Sequence, residues 1–136
     1  MSDLNRRALE LMGWRVRYAE SDEFGDWYDM IPPNSDLVIP VRAVDEDEAW
    51  RVALESGDVP SPAGDPAAAI ALLAGVRWTH YHSPNGIQMP GCYEYTDRVV
   101  IEDAHAHYAA NANTFAEAAC AAWCQWREAG DANIHQ

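Results

Sequence analysis

Lysine is absent from this chain: the nine basic residues are all arginines, set against 22 aspartates and glutamates, for a formal net charge of −13. A field of that sign repels phosphate, so direct binding to DNA or RNA is not expected, whereas a basic partner surface is attracted. Long apolar runs are missing as well. No stretch approaches the ~18 residues of a membrane span, and the first twenty residues alternate charged and apolar side chains where a secretory signal would be unbroken. The expected location is therefore the cytoplasm, with no membrane partner. Cysteine is scarce: Cys92, Cys120 and Cys124 are an odd number without a Cys-x-x-Cys spacing, which argues against a disulfide framework. Cys120 and Cys124, one helical turn apart among alanines, read as small buried residues. There is no glycine-rich phosphate loop, no nucleophile elbow, no zincin helix and no internal repeat. No catalytic residue and no cofactor are expected on these grounds.

What the chain does contain is core-forming material. Its 136 residues are 49% hydrophobic with six tryptophans and six tyrosines. A single globular domain of this length, 1–136, buries roughly two-thirds of its unfolded surface without disulfide or metal. Helical spacing of Leu4, Ala8, Leu11 and Met12 predicts a first helix over 2–12, ended by Gly13. Alternation then predicts a strand over 14–18, followed by an acidic turn over 20–29 that leads into a short strand near 26–30. Consecutive prolines make 31–36 a loop. Asp45 with Glu48 three residues on forms a capping box for a second helix that carries Ala49, Trp50, Ala53 and Leu54 inward and stops at Gly57. After a linker over 58–65 come a short helix over 66–74 and a strand over 76–82. An Asn-Gly reversal at 83–86 leads to strands over 92–95 and 98–108. Thr114 caps a closing helix that Gly130 ends, with Phe115, Ala118, Ala119, Ala122, Trp123 and Trp126 inward. This order of elements predicts an α+β or α/β sandwich, with the hairpin signals making the sheet mostly antiparallel and favouring α+β.

Two groups of residues carry chemistry. His80 and His82 share a face of one predicted strand and His105 and His107 share a face of another, so in register four imidazoles would surround a metal. Against that arrangement, Ala104, Ala106 and Tyr108 read as the buried set of their strand, which turns His105 and His107 to solvent. The second group joins Asp22, Glu23, Asp26 and Asp29 to Phe24, Trp27 and Tyr28 in an acidic, aromatic loop, the composition of a protein-binding patch. Asp45, Glu46 and Asp47 form a further acidic cluster, read first as carboxylates stabilised by the helix macrodipole and second as an alternative contact surface.

Three stretches together resemble the phage ABA sandwich domain. They are Leu4-Asn5-Arg6-Arg7-Ala8 running through Met12-Gly13-Trp14-Arg15-Val16, the helix from Asp45 to Trp50 that carries Ala49-Trp50, and the segment from Ala106 to Cys120 with its Ala112-Asn113-Thr114-Phe115-Ala116-Glu117-Ala118-Ala119-Cys120 core. Glu48-Ala49 before Trp50, and Ala119 where the family often has isoleucine, depart from the pattern. The resemblance implies a three-layer helix–sheet–helix sandwich and a phage or prophage setting. It carries over no catalytic residue. With the charge, it leads to the expectation of a non-enzymatic accessory protein in a bacterial host cell, acting by protein binding. The specific form is an anti-CRISPR-like inhibitor whose acidic surface occupies the basic nucleic-acid-binding groove of a host protein or nucleoprotein complex. A homodimer is compatible with this. Two alternatives remain: a nucleotide sponge that uses Arg6, Arg7, Arg15, Arg17 and Arg42, and a metal-dependent enzyme that uses the strand histidines.

Overall fold

The computed structural model describes residues 2–83, 95–104 and 106–134. Pro84, Asn85 and Gly86 of the expected reversal, Cys92 at the start of the strand expected beside it, and His105 lie outside the described residues. The described elements are α1 (Ser2–Met12), β1 (Arg15–Asp22), β2 (Gly25–Ile31), β3 (Ile39–Arg42), α2 (Glu46–Ser56), α3 (Pro66–Leu72), β4 (Arg77–His82), β5 (Asp97–Glu102), β6 (His107–Ala112) and α4 (Phe115–Ile134). The fold is α+β, with antiparallel pairing in two three-stranded sheets, β1-β2-β3 and β4-β5-β6. The chain divides into two compact units, one built mainly on residues 9–61 and the other on 3–8 with the residues from 62 onward.

In the first unit, side-chain alternation puts the apolar residues on one face of the sheet. Val16 and Tyr18 pair with Met30 and Tyr28, which in turn pair with Ile39 and Val41. Helix α2 lays Ala49, Trp50 and Ala53 on that face, and Leu9, Ala43 and Val59 complete the core. Its N-cap is Asp45, whose carboxylate accepts from the Glu48 N–H at 2.8 Å, and Gly57 closes it at φ +81°. Gly13 ends α1 at φ +109°, where a Cβ would stand 3.0 Å from that of Pro33, so both backbone and space call for glycine.

Two expectations about this unit need correction. No strand was expected over 39–42, yet β3 forms there. Pro40 lacks an N–H but sits in an edge strand, where a ladder tolerates proline. The acidic segment 20–29 is also not a loop. Strands β1 and β2 run on to Asp22 and from Gly25, which leaves Glu23 and Phe24 as the turn of a tight hairpin.

In the second unit, Trp78, His80 and His82 on β4 pair with Ile101, Val99 and Asp97 on β5, which pair with Tyr108, Ala110 and Ala112 on β6. Helix α4 packs against this sheet through its contacts with β5 and β6. The Thr114 hydroxyl accepts from the Glu117 N–H at 3.2 Å and caps α4, as the sequence predicts. The helix continues through Gly130 to Ile134, so that glycine is not its end. Ala118, Ala119, Ala122 and Trp123 are buried on α4, and Cys120 and Cys124 are buried free thiols. The single strand expected over 98–108 is a hairpin instead, turned where the Asp103 N–H donates to the Ala106 carbonyl at 2.9 Å. Its buried alanines are Ala110 and Ala112 rather than Ala104 and Ala106. Among the described residues no helix is long and apolar enough to cross a membrane.

Candidate protein-binding surface and histidine cluster

The hairpin from β1 to β2 divides the acidic, aromatic residues between the two faces of its sheet. Trp27 and Asp29 lie on one face, Asp26 and Tyr28 on the other, because successive strand residues alternate. On the first face Asp22 is structural. One of its oxygens accepts from the Phe24 N–H and the other from the Trp27 indole N–H, each at 2.8 Å. The indole bond, then the backbone bond, holds its carboxyl below the ordinary aspartate range. The Arg42 guanidinium lies 5.0 Å from the Trp27 ring centroid and 5.6 Å from that of Phe24, and Asp29 pairs with Arg17 at 3.2 Å. Phe24 is still 66% exposed at the hairpin tip beside the exposed Glu23.

The backbone brings the two acidic segments of the sequence near each other, since the Ala43 N–H, two residues before Asp45, donates to the Asp26 carbonyl at 3.2 Å. Burial raises the Tyr28 phenol pKa, and the charges of Asp26, Asp45 and Glu46 raise it further. Those three carboxylates therefore act on one buried phenol, although Asp26 comes from the hairpin and the other two from the start of α2. Asp45, Glu46 and Asp47 are exposed. The Tyr18 ring meets that of Tyr28 edge-on at 5.5 Å and is itself 52% exposed, so an aromatic surface lies beside the carboxylates. Sequence reasoning did not single out Tyr18. Its signal was the parity it shares with Val16 on an alternating strand.

Asp22 therefore yields a specific expectation. Its pKa is depressed in the folded protein, so its contribution to the hairpin is present above the unfolded-state pKa and is lost as pH falls through the lower folded value. NMR titration of the Asp22 carboxyl should give a midpoint below the usual ~3.9, with the Trp27 indole N–H resonance moving at the same midpoint. In Asp22→Ala that indole resonance should shift toward its solvent-exposed position and the hairpin amides should exchange faster. An unchanged indole resonance would show that the bond is not formed.

The second unit brings together a different set of residues. His80 Nε2 lies 2.7 Å and His82 Nδ1 3.1 Å from the same Asp97 oxygen, Oδ1. Thr96 Oγ1 is 2.7 Å from the other oxygen, Oδ2, and 3.0 Å from the Asn113 carbonyl. The His80 ring packs on Phe115 with centroids 4.7 Å apart. Burial pushes the Asp97 carboxyl pKa up, but hydrogen bonds from Thr96, His80 and His82 outweigh it and the net displacement is downward. His107 does not join this group. It pairs with Glu102, itself opposite Arg77, on the face away from Val99 and Ile101, and it is exposed. His107 faces solvent as the alternation predicts, His105 lies outside the described residues, and the His80–His82 pair is joined by a carboxylate that the sequence reading missed. The available signal was position: Asp97 shares parity with Val99 and Ile101, so it is an acidic residue on a buried strand face.

Of the arginines of the anion-capture alternative, Arg6 and Arg7 belong to one unit and Arg15, Arg17 and Arg42 to the other, where the register sets the last three on one sheet face. Arg7 is paired with Glu128, Arg17 with Asp29, and Arg42 lies over aromatic rings. Arg15 lines an open, shallow concavity with Met12, Pro33 and Asp36. No family model matches the chain, and no curated protein matches it.

Proposed function

We propose that this is a non-enzymatic phage or prophage accessory protein of the bacterial cytoplasm, an inhibitor whose acidic, aromatic surface on residues 9–61 occupies a basic nucleic-acid-binding groove of a host complex. The observation that carries the reading is the bond from the Ala43 N–H to the Asp26 carbonyl at 3.2 Å, which brings the hairpin's Asp26 close to the Asp45 and Glu46 start of α2, with the exposed Tyr18 ring edge-on to Tyr28 on the same strand pair. Two acidic segments remote in sequence become one contact surface, with carboxylates bordering an aromatic anchor. The charge of this part of the chain supports the same reading. Between positions 9 and 61 thirteen carboxylates stand against only Arg15, Arg17, Arg42 and Arg51, and two of those arginines are engaged as described above. A surface of this sign raises the encounter rate with a basic groove and competes there with phosphate. The phage setting rests on the motif resemblance, and the mode of binding rests on the surface.

The test is competition. A bacterial host complex captured on the purified protein should lose its nucleic-acid binding in proportion to occupancy, and added nucleic acid should displace the protein. Capture of a complex that binds nucleic acid and protein simultaneously, each at full strength, would overturn the proposal.

A further inference from the structure

We propose that His80, His82 and Asp97 form a binding site for one divalent transition-metal ion, held by two imidazoles and one carboxylate with further coordination positions open. The inference concerns residues outside the acidic surface and stands independently of the inhibitor reading.

The sheet register creates the site. His82 lies opposite Asp97 and His80 opposite Val99, two residues further along β5, so all three ligand-bearing side chains leave the same face of neighbouring strands. Their ligand atoms lie within 4.8 Å of one another. Ligands about 2.0–2.2 Å from a tetrahedral zinc are separated from each other by roughly 3.3–3.5 Å. The observed 2.7 and 3.1 Å separations from Asp97 Oδ1 need to widen by roughly 0.6–0.8 and 0.2–0.4 Å for an ion to enter.

The donor set selects the class of ion. Two imidazoles with a carboxylate suit zinc, cobalt, nickel or ferrous iron, whereas calcium and magnesium favour all-oxygen sets. The supports that hold ligands in place are present as well. Thr96 reaches the second oxygen of Asp97, and Phe115 packs against the His80 ring. The His80 and His82 side chains keep 31% and 57% exposure, so an ion can enter from solvent and retain water on its outer side. A three-ligand set with a free position is the open form of a zinc site, as distinct from the closed four-ligand structural form.

A simpler account makes Asp97 only an acceptor for two imidazole N–H groups, with no ion involved. Metal titration separates the two. The full chain, without a histidine tag and stripped with chelator, is titrated with Zn2+ by calorimetry and with Co2+ by absorption spectroscopy. One equivalent should bind, and bound cobalt should show the intense ligand-field bands of a low-coordinate site. His82→Ala and Asp97→Asn should each weaken Zn2+ binding by at least the ~10–100-fold that loss of a mere supporting partner costs, and Thr96→Val by about tenfold. His107→Ala should bind as wild type. His82 is more than half exposed and Asp97→Asn preserves shape, so circular dichroism should show both variants folded. The proposal is overturned if wild type binds neither ion, if a folded His80→Ala/His82→Ala variant binds Zn2+ as tightly as wild type, or if His107→Ala weakens binding as much as His82→Ala does.

Discussion

Neutralising the acidic surface with Asp26→Asn, Asp45→Asn and Glu46→Gln together is expected to weaken binding to the basic host complex by about tenfold or more, equivalent to about 1.4 kcal/mol or more. These substitutions are chosen to leave the fold intact. Asparagine caps a helix about as well as aspartate, so the bond to the Glu48 N–H survives at position 45. Glu46 gives up only the helix-dipole contribution of about 0.3–1 kcal/mol, and exposed charges contribute little else to stability. A charge reversal that included Asp22 would be a poorer test, because Asp22 ties the hairpin to the Trp27 indole. The variant also carries an internal check. Asp26, Asp45 and Glu46 raise the Tyr28 phenol pKa, so their loss should move its titration down toward the ordinary ~10, with burial keeping it above that value. Tyrosine absorbance against pH reads this change. A Tyr28 titration that shifts while binding stays at wild-type strength would remove this surface as the contact.

Replacing Trp50 by alanine is expected to destabilise the unit on residues 9–61 by about 3–5 kcal/mol. Trp50 is 2% exposed in a core with Leu9, Tyr28, Met30, Val41 and Ala53. The aligned faces of β1, β2 and β3 bring apolar side chains together there, and α2 has no larger buried residue to cover them. Urea unfolding followed by far-ultraviolet circular dichroism measures the loss. Leu54, only partly buried at the margin of the same core, should cost distinctly less when cut to alanine. A Trp50→Ala variant that loses under ~1 kcal/mol would show that this helix is not held by its tryptophan.

Helix α2 was legible in full because its signals are local. Asp45, Glu48 and Gly57 fix both ends within one segment, and the Asp45 side chain accepts from the Glu48 N–H while the Gly57 N–H donates to the last-turn carbonyls. The strands were legible where alternation was strong, as in β1, and obscure where a local signal opposed pairing. Pro40 concealed β3, since its tolerance depends on an edge position that only the assembled sheet defines. The reversal in 103–106 was concealed because Ala104 and Ala106 continue the alternation of their neighbours without a glycine or proline to mark the turn. The candidate sites were half legible for the same reason. Composition located the acidic residues and the His80–His82 pair. It did not reveal that the strand period puts Asp26 and Trp27 on opposite faces, or that register sets Asp97 beside the two imidazoles.

The acidic surface as the contact is tested most directly by the salt dependence of its affinity. Dissociation constants of the captured host complex, measured from low to high salt for wild type and for the triple neutral variant, should fall on two lines. The wild-type affinity should drop steeply as salt screens the carboxylates, and the variant should start weaker and depend less on salt, the lines converging where screening is complete. Equal slopes for the two proteins, or a wild-type affinity indifferent to salt, would contradict a charge-driven contact through Asp26, Asp45 and Glu46.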